Sequence, residues 1–231
     1  MVARLSVPLL GFLFAACTGP GSSSPPPDPA KILAAAGQAT SQVKSVAADV
    51  KFTGAKIQFQ GLTLTSASSK LSLPGDSDTT FKVKQGDIPI GLRVVTTDGR
   101  IFVRLPFSPF VELTAQQAQD IPDVSKLFSA VSGLPALLRA GKNPTYQGTE
   151  QVGGVTCDKV AATYTATQVA GLLGGQVTPH GDVHAVIWAG SSDHLVRKTV
   201  LSGKLTSAGV SQIEVDLHDF NRPVTITAPT T

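Results

Sequence analysis

Apolar residues recur at three- and four-residue steps just past the proline-rich segment near the N-terminus. Ile32, Ala36, Ala39, Val43 and Val46 form one stripe, which predicts a helix from Pro29 to Ala48. Asp28 suits its cap and Pro29 its first turn. From Val50 the period falls to two. Val50-Lys51-Phe52, Lys56-Ile57-Gln58-Phe59-Gln60, Leu62 to Thr65, Lys70 to Leu73 and Phe81 to Lys84 alternate apolar with polar. Ile88, Ile90, Leu92 and Val94 share one face, and Asp98-Gly99 is a hairpin turn into Ile101 to Leu105. Val155 to Thr165, Val183 to Trp188, His194 to Leu201 and Gln212 to Leu217 continue the pattern. The alternation predicts roughly nine to eleven strands, in an antiparallel sheet with one apolar and one polar face.

Two segments break the alternation. Ser125 to Ala140 carries Leu127, Phe128, Val131, Leu134, Leu137 and Leu138 at helical spacing, with Pro135 marking a kink or a division into two short helices. Thr167 to Leu173 carries Val169, Leu172 and Leu173 and stops at Gly174-Gly175. Both are more apolar than a surface helix needs. The predicted class is α+β: a strongly curved antiparallel sheet with helices on its concave side.

The N-terminus has another character. Arg4 is the only charged side chain before Asp28, and Leu5 to Ala16 is a largely apolar run, too short to span a bilayer but suited to a signal sequence. It ends Leu13-Phe14-Ala15-Ala16-Cys17. Small residues before a cysteine are similar to a bacterial lipobox, in which the thiol is lipidated and the chain cleaved in front of it; Phe14 stands where an aliphatic residue is usual. The expected organisation is a signal peptide over 1–16, a flexible tether over 17–28 and one domain over 29–231. Thr18 to Pro29, rich in Pro, Ser and Gly, spans roughly 35 Å at about 3.1 Å per residue.

Composition adds two constraints. Charged residues are 15% of the chain, against about 25% in average soluble domains, and hydrophobic residues are 42%. The net charge of +3 is spread over single basic residues, which argues against nucleic acid as a partner. With aromatics at 6%, the interior is filled by Val, Leu, Ile and Ala. Such a composition fits either a tight ordinary core or a void lined by aliphatic groups.

Candidate chemistry is sparse, and the expectation is a protein that is not an enzyme and needs no cofactor or metal. His180 and His184 have the spacing of a helical metal pair, but Pro179 and Gly181 place them in a loop or strand, where four residues span about 13 Å. Ser191-Ser192-Asp193-His194 is read as hairpin punctuation, and Cys157 as a small buried residue. Trp188 suits core packing or a cavity wall alike.

Several pieces together resemble the LppX/LprG-type lipoproteins of mycobacteria and other actinobacteria. They are the Asp-Pro-Ala-Lys-Ile-Leu helix start, Ser45-Val46, the Asp98-Gly99 hairpin, Gly148 to Val155, Val186-Ile187-Trp188, His194 to Arg197 and Asp219-Phe220-Asn221-Arg222-Pro223-Val224, the last similar to the family's closing strand. The likeness runs from about residue 28 to 228 and departs at the lipobox and Cys157. It implies a half-barrel whose helices close a large hydrophobic cavity. It further implies that the cavity holds acyl chains of envelope lipids or lipoglycans, on a protein anchored to the cell membrane through lipidated Cys17 and facing the periplasm or cell envelope, with a lipid exporter as a candidate partner. The expected lining is Phe81, Val83, Ile90, Leu92, Val94, Val183, Ala185, Ile187, Ile213, Val215 and Leu217 from the sheet, and Leu127, Phe128, Val131, Leu134 and Leu138 from the helices. The competing expectation is a membrane-anchored structural or protein-binding module with a solid core.

Overall fold

A computed structural model of the chain describes residues 26–59, 61–118, 124–172 and 177–231. The expected signal peptide, Cys17 and most of the tether lie outside the described residues, as do Gln60, Leu173 and Gly174-Gly175.

Helix α1 spans Pro29–Ser41. Asp28 caps it: its carboxylate accepts from the amides of Ala30 at 3.0 Å and Lys31 at 3.4 Å. Ile32, Leu33, Ala36, Gly37 and Thr40 are its buried face. The helix ends seven residues before the expected Ala48, because Ser45–Gly54 is strand β1. Val43 and Val46 continue the helical spacing, but Val46 also begins the alternation Val46, Ala48, Val50, Phe52. Pairing on both flanks of β1 satisfies its backbone groups, so the strand prevails.

The other strands are β2 (Gln58–Phe59), β3 (Leu62–Ser72), β4 (Asp76–Gln85), β5 (Ile88–Thr97), β6 (Arg100–Arg104) and β7 (Val111–Glu112), then β8 (Lys142–Val152), β9 (Val155–Tyr164), β10 (Val183–Gly190), β11 (Val196–Thr206) and β12 (Gly209–His218). All pairs among the described residues are antiparallel, in the order β7-β6-β5-β4-β3-β1-β12-β11-β10-β9-β8, with β2 paired to β3 off this path. The sheet is therefore two meanders, β3–β7 and β8–β12, joined through β1. It is open, with β7 and β8 at its edges. Asp98 and Gly99 both take positive φ, as the two-residue turn requires. Strand β8 was not anticipated: it is an edge strand whose residues are nearly all partly or fully exposed, so burial imposes little pattern on it.

The second helical segment is divided. Val124–Phe128 forms a 3-10 turn, and Leu134–Arg139 forms α3, with Pro135 in its first turn rather than at a kink. A short helix, α2, spans Ala115–Ala118, and α4 spans Ala166–Leu172. Helices α1 and α3 cross at Gly37, where a Cβ would stand 2.7 Å from the carbonyl oxygen of Pro135. Beneath them lies the main core, which includes Leu33, Leu71, Leu138, Val160, Val183 and Leu205.

Residues 219–231 carry no strand among them. Asp219 and Asn221 take left-handed backbone conformations that end β12, so Asp219 to Val224 is not the closing strand that its sequence suggested. The segment runs over the convex side instead. Asn221 accepts from the Lys44 amide at 2.8 Å, and Ile226 packs on Val95, Phe102 and Phe110, a second small core on the outer face.

Candidate functional site

Register across the sheet builds one continuous inner wall. Phe52, Val50 and Ala48 of β1 face Ile213, Val215 and Leu217 of β12. Val215 and Ile213 face Thr199 and Leu201 of β11, which in turn face Ile187 and Ala185 of β10. In the other direction Val50 faces Ala67 of β3, and Ala67 faces Phe81 of β4. These residues, with Ile101 of β6 and Tyr164 of β9, line a single cavity of about 1060 Å³. Strands as distant in the order as β6 and β9 reach the same space, so the sheet bends around it. Ligand pockets commonly measure about 300–1,000 Å³. This cavity stands just above that range.

The roof comes from the helical segments: Leu127 and Phe128 of the 3-10 turn, Leu134, Leu137 and Leu138 of α3, and Leu172 of α4. The lining residues left exposed mark the opening. Pro74 and Gly75 belong to the β3–β4 turn, Asp98 and Gly99 to the β5–β6 turn, Ala115 to α2, Lys126 to the 3-10 turn, Ser132 to the segment before α3 and Gly171 to α4. The Asp98 amide donates to Asp76 Oδ1 at 3.3 Å, tying the two turns together. The mouth is thus polar and the interior aliphatic.

Of the expected lining residues, Phe81, Leu127, Phe128, Leu134, Leu138, Ala185, Ile187, Ile213, Val215 and Leu217 stand on this wall. Val83, Val94 and Val183 are buried but do not line it. Val183 packs in the main core instead, opposite Tyr164. Ile90 and Leu92 are half-buried and do not line the cavity either, although Leu92 stands across the ladder from Phe81. Val131 is 88% exposed. The division was expected at Pro135, but it falls between Phe128 and Leu134, so Val131 lies in the break and the helical face does not carry through it.

Sequence reasoning missed Val50, Phe52, Leu64, Ala67, Leu201 and the two hydroxyl residues Thr199 and Tyr164. The alternation already put Thr199 and Leu201 on one face of their strand; only the register joins that face to Ile187 and Val215. Tyr164 is 1% exposed, and burial pushes its phenol up to about 12, so it stays neutral.

The convex face is built differently. Glu214 takes Lys51 at 3.4 Å and Lys198 at 3.0 Å. Lys159 and Lys198 lie over the Trp188 ring, whose indole donates to Glu150 at 3.1 Å. That hydrogen bond and Lys159 hold the Glu150 carboxyl below its usual range. Cys157 is fully buried, and burial pushes its thiol up, opposite to what a reactive thiolate needs. Ser191 to His194 form the β10–β11 turn: His194 has a positive φ, and Asp193 pairs with Arg197 at 2.5 Å. His184 is exposed and contacts Thr163 at 3.4 Å, while the His180 amide donates to the Lys204 carbonyl. No cluster of three or more metal-ligating side chains occurs among the described residues.

Known proteins share this fold. The fold is that of LprF from Mycobacterium bovis, at a TM-score of 0.70 with 18% identity, covering 87% of this chain and 97% of the other. Lipoprotein LppX from Mycobacterium tuberculosis aligns at a TM-score of 0.60 with 22% identity, covering 86% and 97%. By sequence, lipoprotein LprA of Mycobacterium tuberculosis is 29% identical over 142 residues, 59% of this chain and 55% of LprA. The chain thus spans about half the length of the curated relatives it matches. The LppX_LprAFG lipoprotein family matches residues 28–226, from the cap of α1 to the strap on the convex face, and the chain belongs to that family.

Proposed function

We propose that this protein is an envelope lipid carrier whose cavity shields acyl chains of lipids or lipoglycans in transit between the membrane and the outer envelope. The observation that carries the reading is the cavity: about 1060 Å³ of space walled largely by Val, Leu, Ile and Phe, with its charged side chains, Asp76, Asp98 and Lys126, at the mouth. A sixteen-carbon chain exposed to water forfeits about 13 kcal/mol at roughly 0.8 per methylene. Free passage of such a chain through an aqueous layer is therefore negligible, and an aliphatic enclosure offsets most of that penalty. The polar head rests among Asp76, Asp98 and Lys126. A cavity of this size weighs against a module with a solid core. The role asked of the side chains is burial, not bond-making, so the protein acts as a carrier and not as an enzyme.

The organisation follows from the sequence. Residues 1–16 direct export, lipidated Cys17 anchors the chain to the membrane, residues 17–28 act as tether, and residues 29–231 form the lipid-binding domain. Two acyl chains on Cys17 make the attachment durable where one would be marginal. A lipid exporter in the same membrane is the partner that loads or receives the cargo.

Mass spectrometry of organic extracts tests the core of this. Non-acylated protein purified from an expressing actinobacterium should release acylated lipid in near-stoichiometric amount. Ile213→Trp should fold and release almost none. Extracts free of lipid from the unaltered domain would overturn the carrier reading. A Cys17→Ala variant that still fractionates with membranes would overturn the anchor.

A further inference from the structure

Three buried side-chain oxygens among the described residues have no hydrogen-bond partner: Thr40 Oγ1, Tyr164 Oη and Thr199 Oγ1. Thr40 is on α1 and does not face the cavity. Thr199 and Tyr164 both line it. Thr199 is 6% exposed and lies in the middle of the aliphatic floor, flanked by Ile187 on one neighbouring strand and Val215 on the other. Neither neighbour can answer a hydroxyl. An unmet buried hydroxyl costs about 1–3 kcal/mol, and valine has the same shape without that cost. A threonine at this point is therefore a liability in an empty cavity, and a recognition group in one that is filled by the right ligand.

Its depth says which part of a ligand it meets. The acidic side chains at the opening, Asp76 and Asp98, lie at the β3–β4 and β5–β6 turns. Thr199 stands on one row across the ladder with Val215, Val50, Ala67 and Phe81, whereas β3 reaches the β3–β4 turn only past Ser72, five residues or roughly 17 Å farther along the strand at about 3.3 Å each. A headgroup held at the mouth does not reach Thr199; the interior of an acyl chain does.

We infer that the floor selects ligands whose buried chain carries a hydrogen-bonding oxygen, a hydroxyl or ester or keto oxygen set away from the headgroup, which pairs with Thr199. The inference rests on the acyl-carrier reading and narrows its substrate class. Tyr164, kept neutral by burial, offers a second donor farther along the same wall, toward α1.

The test compares octadecanoic acid with its 10-hydroxy and 12-hydroxy derivatives, titrated into delipidated domain. The unaltered protein should bind at least one hydroxylated chain more tightly relative to the plain chain. Thr199→Val should shift that ratio toward the plain chain by about tenfold, as expected for one hydrogen bond exchanged for one unmet group. Thr199→Ser, which keeps the oxygen, should preserve the preference, and Tyr164→Phe should alter it less. A ratio unchanged by Thr199→Val for both derivatives would overturn the selection while leaving acyl binding intact. Failure of the unaltered protein to bind any of the three chains would overturn the carrier reading itself.

Discussion

The two meanders that flank β1 handle buried hydroxyls in opposite ways. In the β3–β7 meander, Ser69 and Thr79 stand opposite each other on neighbouring strands and share a hydrogen bond of 2.7 Å. Both are buried and neither lines the cavity. In the β8–β12 meander, Thr199 has an aliphatic residue on each side and no partner, and it does line the cavity. The Ser69–Thr79 pair closes on itself and serves as scaffold, within a flank whose Ala67, Phe81 and Thr96 also line the cavity. The other flank leaves two open, Thr199 and Tyr164, toward a space large enough for a ligand. The same residue type is thus structural on one side of β1 and available for recognition on the other.

The strongest way to break this contrast is to fill the space. Ile213→Trp places an indole where β12 meets β1 and β11, and the expected result is near-complete loss of extractable lipid with the far-ultraviolet circular dichroism unchanged. Ser69→Trp, on the scaffold side, should instead unfold the domain.

Next in size is the seam that holds the roof on the sheet. Gly37→Ala pushes a methyl to within 2.7 Å of the Pro135 carbonyl oxygen, so α1 and α3 must separate. Denaturant titration should show a loss of about 1–3 kcal/mol, typical of overpacking.

Hydroxyl removal sharpens the comparison directly. Ser69→Ala leaves Thr79 unpaired and should cost about 1–3 kcal/mol. Thr199→Val in the ligand-free domain should leave stability equal or higher. Calorimetry of the two variants reads the opposite signs; equal losses in both would erase the distinction between the flanks.

The smallest effect is on the convex face. Burial disfavours a charge on His218, yet its ring contacts Asp219 at 3.0 Å and Asp49 at 3.1 Å, and the net result is a pKa above its ordinary 6.5. The folded state holds this proton more tightly than the unfolded chain does. The stabilisation is therefore complete below about pH 6.5 and fades as pH rises through the folded value. All three groups are about half exposed, so the effect is modest. The melting temperature of the native protein should fall slightly across that window relative to His218→Gln, and parallel profiles would remove His218 from the account.

Much of this was legible in the chain. The period of two placed Ala185 with Ile187, and Ile213 with Val215 and Leu217, on single faces, because successive strand residues point to opposite sides whatever the strand pairs with. Cavity membership was not legible at Val83, Val94 and Val183, which share that inner character but lie where the wall is covered by other packing. Val131 failed because helical spacing was carried past Phe128, where the 3-10 turn ends, although α3 begins only at Leu134.

The alternation of residues determined by itself that there would be an antiparallel sheet with one greasy face, and the cap and proline signals determined where α1 begins. Which residues face a void was decided only in three dimensions. The wall depends on β1 pairing with β12, partners 157 to 171 positions apart, and on the bend that brings β6 and β9 around one space. Thr79 and Thr199 read alike in the chain, each an inward threonine in a strand. Only the residue across the ladder, serine for one and isoleucine or valine for the other, makes one hydroxyl paired and leaves the other open. That neighbour is set by long-range register, which a local pattern does not encode.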